Sequence, residues 1–392
     1  MSRGVDWQPF VRRHWERAPT TLSLGAPLLP TDATFRALIE LCAPFRFGTR
    51  FRTLPDVRLH VADGQLTGPG TLLPGREDAS VEDYLRRAAS GLGGQPFELL
   101  VEQPFLLDFA RWNTLRGFLR GLLERVGVPV LPIGCELLVG QGHRPPPGLA
   151  RREHHSVLLL VLHGTLLVSH ADGDAPLTAH AGQLLYLPSR QLHRVESLEE
   201  CMAVRLAIPL QASHPTEVVQ DVLLSLLEDR LAHDEEVPYL PFADTARAPR
   251  IPLLERTADA LRALAREQDL QQALRIVWAR RVSACGLDPA PAPDTPAPLT
   301  DAQHVRGQLR GNLVRMRERT GPWIWALHGH VFPGLGTSQA RRLLEALDDD
   351  EPPTVGALCA TAKRGRERAE LRTVLGRLHQ LRGIQVVRQG GG

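Results

Sequence analysis

Trp7, Phe10, Val11, His14 and Trp15 recur near helical spacing and Pro19 follows them, so residues 5–17 read as a short helix whose aromatic side chains belong to a core. A second helical stretch covers 31–42, with Thr31 as its N-cap. Turn-rich sequence then runs through Pro74 and Gly75, and a third helix covers 80–89. Asp108 caps a helix that runs to Val126, with Phe109, Trp112, Leu115, Leu119, Leu122 and Leu123 as its apolar positions, and Gly127 and Pro129 end it. From Val130 the period changes. Short β-rich runs at 132–139, 156–162, 165–169, 183–187 and 201–208 lie between Gly and Pro clusters, and strands spaced this closely predict a barrel or jelly roll. After Pro209 helical stripes return at 218–231, 253–267 and 270–282. Residues 288–298, DPAPAPDTPAP, predict an extended linker. Beyond Ser338 the order is helix (338–347), short helix (354–361), helix (366–381) and strand (384–388), which is winged-helix order. No internal repeat is visible.

Composition narrows this picture. A chain of 392 residues exceeds the size at which one core keeps growing, so two or three domains are expected. Hydrophobic residues at 43% supply enough material for those cores. The formal charge of +2, from 46 basic and 44 acidic residues, creates no global field for nucleic acid or an acidic membrane surface. Cys42, Cys135, Cys201, Cys285 and Cys359 are odd in number, spread out and without C-x2-C spacing, which argues against disulfides and zinc knots. No run of 18 apolar residues occurs, so a cytoplasmic protein is expected, with no membrane partner. G-x-S-x-G, Walker A and H-E-x-x-H are all absent, and Gly91 to Gly94 form a lone glycine-rich turn.

The stretch AGQLLYLPSRQLHRVES carries the sharpest signal. Gly182, Pro188, Arg190, His193 and Ser197 keep the spacing of the second cupin motif, G-x5-P-x-G-x2-H-x3-N, with Arg190 for its second glycine and Ser197 for its asparagine. Gly182 permits the turn into a strand, Pro188 ends pairing, and His193 returns on the next strand. Together with the opening VDWQPFVRRHWERAPTTL, SVEDYLRRA and the Trp112 helix, the chain resembles the JmjC-type cupins, most closely the bacterial ribosomal oxygenases. The resemblance implies an α+β chain: a double-stranded β-helix (cupin/JmjC-like jelly roll) with an N-terminal helical extension over 1–209, a helical dimerisation region and Pro/Ala linker over 210–300, and a winged-helix-like domain over 301–392. It also implies a homodimer, iron(II), 2-oxoglutarate and a protein or peptide substrate.

Members of that family hold iron with a His-x-Asp pair on one strand and the distal histidine on another. Counting back from Gly164, Arg151 stands at the His position and Glu153 at the Asp position. Arginine stays protonated and offers no lone pair. In RREHHS, strand alternation puts Arg151, Glu153 and His155 on one face, so Glu153, His155 and His193 form one candidate metal set, with His154 pointing away. Alternatively Arg151 holds an anion or pairs with Glu153, which puts a side-chain cation in the iron site. The bland reading leaves His154 and His155 in solvent at a strand start.

The basic residue that the family places after the strand-connecting glycine is missing, since Gly164 is followed by Thr165, Leu166, Leu167 and Val168. Arg205, twelve residues after His193, has the spacing of a carboxylate-binding arginine and is the candidate for 2-oxoglutarate, with a barrel-rim salt bridge as its other reading. Residues 354–381 have the order of a helix-turn-helix whose second helix would read DNA, and KRGRER, Lys363 to Arg368, is a basic cluster at its start, but Glu367 and Glu370 accompany it, so a solvated face or a protein-docking module is expected there rather than nucleic acid. Arg306 and Arg310, four apart, are expected on one helix face. Two functions follow. The first is a JmjC-like cupin that binds a protein or peptide partner with its iron/2-oxoglutarate chemistry lost or altered and no cofactor. The alternative is an active iron(II)/2-oxoglutarate oxygenase that hydroxylates a protein or peptide side chain.

Overall fold

In a computed structural model the described residues are 5–48, 56–62, 64–143, 151–152, 155–170, 176–189, 192–209, 252–266, 270–309, 311–317, 323–362 and 364–387, with 220, 223 and 227 as single helical positions. The predicted helices of the first half form. α1 (Trp7–Arg13) starts where the Asp6 carboxylate accepts the Gln8 N–H, and β1 (Thr20–Ser23) follows. α2 (Thr31–Arg46) is capped differently from expectation. Pro30, fixed in an extended conformation, takes the N-cap position, and the Thr31 hydroxyl donates instead to the Leu162 carbonyl at 2.8 Å. β2 (Val57–Val61) and β3 (Gly64–Leu66) make a hairpin that the sequence reading missed. α3 (Val81–Gly91) is capped by the Ser80 hydroxyl, and β4 (Phe97–Glu102) alternates buried and half-buried residues. α4 (Phe109–Val126) begins at Asp108, whose carboxylate accepts the Arg111 N–H at 3.0 Å, and ends at Gly127 with φ +91°.

The strands β5 (Gly134–Gln141), β6 (Arg151–Arg152), β7 (His155–His170), β8 (Leu177–His180), β9 (Gln183–Leu187) and β10 (Leu192–Pro209) join β1 to β4 in a 10-stranded antiparallel sheet, in the order β1-β9-β7-β10-β5-β4-β2-β3. β6 pairs with β10 and β8 with β7 off that path. The runs 156–162 and 165–169, read as two strands, form the single strand β7. It turns at Gly164, whose φ is +71° and where a Cβ would lie 1.7 Å from the Glu200 carbonyl oxygen. The register shift of β10 between Ser197 and Cys201 faces that glycine. Arg151 pairs with His193, while His155 pairs with Pro209. Four residues of chain span at most about 14 Å, so the two ends of β10 must approach each other and the β7–β10 ribbon is folded back on itself.

That fold-back sorts the side chains into two sets. Leu158, Leu160, Leu184, Tyr186, Met202, Val204 and Leu206 pack outward against residues of α1 to α4. Val157, Leu159 and Val161 from one half of β7 meet Leu166 and Val168 from the other half, with Ala179, Leu185, Leu187 and Ala203, in a separate interior cluster.

α5 (Pro252–Arg266) and α6 (Leu270–Ser283) follow, and most of the helix expected at 218–231 lies outside the described residues. The stretch 288–298 lacks regular structure, as its prolines require, but its start is docked. Trp112 Nε1 donates to the Asp288 carbonyl at 3.1 Å, Gln103 Nε2 donates to the Asp288 carboxylate at 2.7 Å, and Ala290 is buried. β11 (His304–Gly307), β12 (Leu313–Arg317), β13 (Trp323–Leu327) and β14 (His330–Pro333) were not foreseen. Arg306 therefore sits on a strand rather than on the helix its spacing suggested, exposed beside the buried Val305 and paired in register with Gln385; Arg310 lies outside the described residues. α7 (Thr337–Leu347), α8 (Val355–Ala360), α9 (Gly365–Gln380) and β15 (Ile384–Val387) follow in the predicted order, with β15 paired to β11 around a core of its own. Among the described residues no helix is long and apolar enough to cross a membrane.

Candidate functional site

The strand ends that carry His193 and His155 are brought near each other by the fold-back of the ribbon. His193 on β10 is paired in register with Arg151 on one side and His170 on the other. His155, half-buried, opens β7. Glu153 and His154 lie outside the described residues, as do the side chains of Arg151 and His193. Moving inward from His155, the next residues on its face are Val157 and Leu159, both fully buried. On β7 this face is hydrocarbon, whereas the neighbouring strands β10 and β5 add polar residues to it.

Arg205 on β10 lies opposite Glu136 of β5, and its Nη1 donates to Glu136 Oε2 at 2.6 Å with both side chains about four-fifths buried. Strand alternation explains the pairing: Glu136, Leu138 and Gly140 share one face of β5, which is the face that Arg205, Ala203 and Cys201 present on β10. The candidate 2-oxoglutarate arginine is thus engaged by a carboxylate of its own chain.

A wider polar row, missed in the sequence reading, extends from this pair. Glu136 also opposes Glu102 of β4, which meets Arg58 of β2 in an ion pair, and Arg58 Nε reaches Asp56 at 3.1 Å. One step along the sheet, Glu98 of β4 opposes His60 of β2 and Gly140 of β5, and His143 Nε2 stands 3.8 Å from Glu98 Oε2. Burial raises the Glu98 carboxyl to about 7, with Glu136 adding to the rise and Arg205 opposing it. Burial likewise lowers His143, helped by His60, and lowers His60, helped by Arg58. His143 is anchored by its backbone, which exchanges hydrogen bonds of 3.1 Å with the Ser197 hydroxyl and N–H. The signal for this row was in VRLHV, FELLVE and GCELLVGQ, where Arg58 and His60, Glu98 and Glu102, and Glu136 each fall on one face of their strand.

Iron with 2-oxoglutarate would need two imidazoles and a carboxylate with open positions, and a free cation for the co-substrate. Among the described residues no group of three His, Cys, Asp or Glu side chains is arranged to hold a metal ion. An arginine, which has no lone pair to give, occupies the position paired with His193, and Arg205 is already bound to Glu136. Of the candidate metal set Glu153, His155 and His193, only the side chain of His155 is among the described residues.

No protein-family model matches the chain, and no curated protein matches it. Solved structures do. The X-ray structure of E. coli ycfD matches over 98% of this chain and 98% of its own at 14% identity, with a TM-score of 0.50. A structure of YcfD, a ribosomal oxygenase from Escherichia coli, in complex with cobalt and succinic acid covers 98% of this chain and 99% of its own at 14% identity and TM-score 0.49. A cupin superfamily protein from Desulfitobacterium hafniense covers 20% of this chain and 69% of its own at 12% identity and TM-score 0.18. At such identity the likeness shows the fold alone, and that fold, a mixed α and β chain around a large antiparallel sheet, is the one this chain shares with E. coli ycfD.

Proposed function

We propose that this chain is a JmjC-like cupin that binds a protein or peptide partner and in which the iron and 2-oxoglutarate chemistry of the family it resembles is lost or altered. The observation that carries this reading is the register of Arg151 against His193: a guanidinium-bearing residue holds the backbone position next to the distal histidine, where an imidazole ligand would be needed. Two further features support it. Arg205 is neutralised by Glu136, and the interior beyond His155 is filled by Val157, Leu159, Leu185 and Leu187.

The pairing also supports the double-stranded β-helix, with β5-β10-β7-β9 as one layer and β6-β10-β7-β8 as the other. On this reading residues 1–209 form the cupin domain, 210–300 a helical dimerisation region, and 301–392 a winged-helix-like domain. Leu254 and Leu261 on α5, and Leu274 and Trp278 on α6, are exposed large apolar residues that a second copy would cover.

The test is metal analysis of protein loaded anaerobically with iron(II), repeated with His193→Ala. The expected result is no stoichiometric iron in either protein. Stoichiometric iron in the wild type that disappears in the variant would overturn the proposal and establish the oxygenase built on Glu153, His155 and His193.

A further inference from the structure

α9 turns a distinctive face to solvent. At 3.6 residues per turn, Gly365, Ala369, Thr373 and Gly376 fall within an arc of about 80°. The opposite side of the helix buries Leu371, Val374, Leu375 and Leu378. Gly365, Ala369 and Thr373 are exposed and Gly376 is half-buried, so nothing bulky stands on this arc until Gln380 at the end of the helix. Arginines border it on both sides: Arg368 and Arg372 on one flank, Arg366 on the other, with Arg364 at the N-cap, all exposed.

The neighbouring acids weaken this charge less than the sequence alone suggests. Glu367 is half-buried on the side where Gln339 of α7 donates to its backbone carbonyl at 3.3 Å, away from the small-residue arc. Glu370 accepts from Arg366 at 3.1 Å, and Asp301 pairs with Arg372 and stands 3.9 Å from Arg368. These are exposed pairs, held weakly and readily exchanged for another anion. Residues 364–377 carry five arginines against two glutamates, with Asp301 as a third acid beside them, and the positive end of the helix dipole adds to the remaining excess.

We propose that this face of α9 docks in the major groove of duplex DNA. The charge complementarity is with phosphate: the flanking arginines reach the two groove walls, and Arg364 with the helix N-terminus meets a third phosphate. The bare arc of Gly365, Ala369 and Thr373 lets the helix backbone approach the groove floor. B-form DNA is the occupant because its major groove, about 12 Å wide, admits a helix, whereas the major groove of duplex RNA is deep and narrow. This inference does not depend on the fate of the iron site, so the two stand or fall separately.

The test uses the full chain and a fluorescein-labelled, mixed-sequence DNA duplex of about 24 base pairs, followed by anisotropy between about 50 and 200 mM salt. Binding should weaken linearly on a log–log plot of affinity against salt. The double variant R366E/R372E should bind at least about tenfold more weakly and lower the salt slope by about 2. Both positions are exposed, so an unchanged circular dichroism spectrum and melting temperature will show that the variant is folded. An RNA duplex of the same sequence should bind more weakly. No anisotropy change at the lowest salt, equal binding by the double variant, or equal binding of the RNA duplex would each overturn the proposal. Polyglutamate binding in the absence of DNA binding would also overturn it, identifying the face as a dock for acidic protein.

Discussion

Arg205 and Glu136 are cross-strand partners whose side chains meet at 2.6 Å on the inner face of the sheet. With each about four-fifths buried, removal of one partner strands the other charge away from water. Arg205→Met and Glu136→Leu, made singly, should each cost about 3 kcal/mol in urea denaturation, and the double variant should recover most of that loss. A double-mutant cycle with no coupling would show the pair to be incidental. Titration calorimetry with 2-oxoglutarate should give no heat in the wild type, because the arginine fork is already engaged.

Glu98 makes stability depend on pH. Its folded-state value of about 7 lies above the ordinary 4.5, so the unfolded chain releases the proton first. The stabilisation is fully present below pH 4.5 and is lost as pH rises through 7, amounting to roughly 3 kcal/mol at most. His143 works in the opposite sense: its lowered value means the folded state resists protonation, so its contribution is present above pH 6.5 and lost as pH falls. Glu98→Gln should flatten the decline between pH 5 and 7 and leave the acid limb in place, as read from denaturation midpoints across that range. An unchanged profile would mean that Glu98 is better solvated than its position beside Glu136 indicates.

Two glycines with positive φ separate backbone strain from steric clash. At Gly182, φ is +84° and a Cβ would meet nothing within 4 Å, so Gly182→Ala should cost about 1 kcal/mol from conformation alone. At Gly164, φ is +71° and the new Cβ would fall on the Glu200 carbonyl, so Gly164→Ala must open the fold-back of the β7–β10 ribbon. We expect a loss of more than about 3 kcal/mol or no soluble protein, measured by the same denaturation assay. Equal effects at the two positions would contradict the close approach.

The parts of the fold that were legible in the sequence are those with a strong local signature. Asp108 caps its helix as read, and the glycine, proline and histidine spacing of AGQLLYLPSRQLHRVES located β9 and the start of β10. β2 and β4 escaped because charged residues such as Arg58, Glu98 and Glu102 read as solvent-facing loop, and only the neighbouring strands turn them into a shared polar row. The substitution of Arg151 was visible at once, since it broke a spacing. Arg205 was singled out by spacing as well, but its partner Glu136 lies 69 residues away, and no local pattern announces such a pair. The cap at Thr31 failed for a similar reason, because the acceptor for its hydroxyl, Leu162, comes from a distant strand.

The apolar surface of α6 yields the last prediction. Leu274 and Trp278 are one helical turn apart, and both remain exposed, Trp278 by 54%. An indole with half its surface in water gains on the order of 2 kcal/mol when covered, and a symmetric contact counts that gain twice. Sedimentation of the wild type should give twice the mass of the chain, and Trp278→Glu, which places a carboxylate against its symmetry mate, should give the monomer. Leu38→Glu would unfold the core and cannot serve as a control, but Arg341→Glu, on an exposed turn of α7, should leave the dimer intact. A wild type that sediments as a monomer at micromolar concentration would remove the second copy as the occupant of this face.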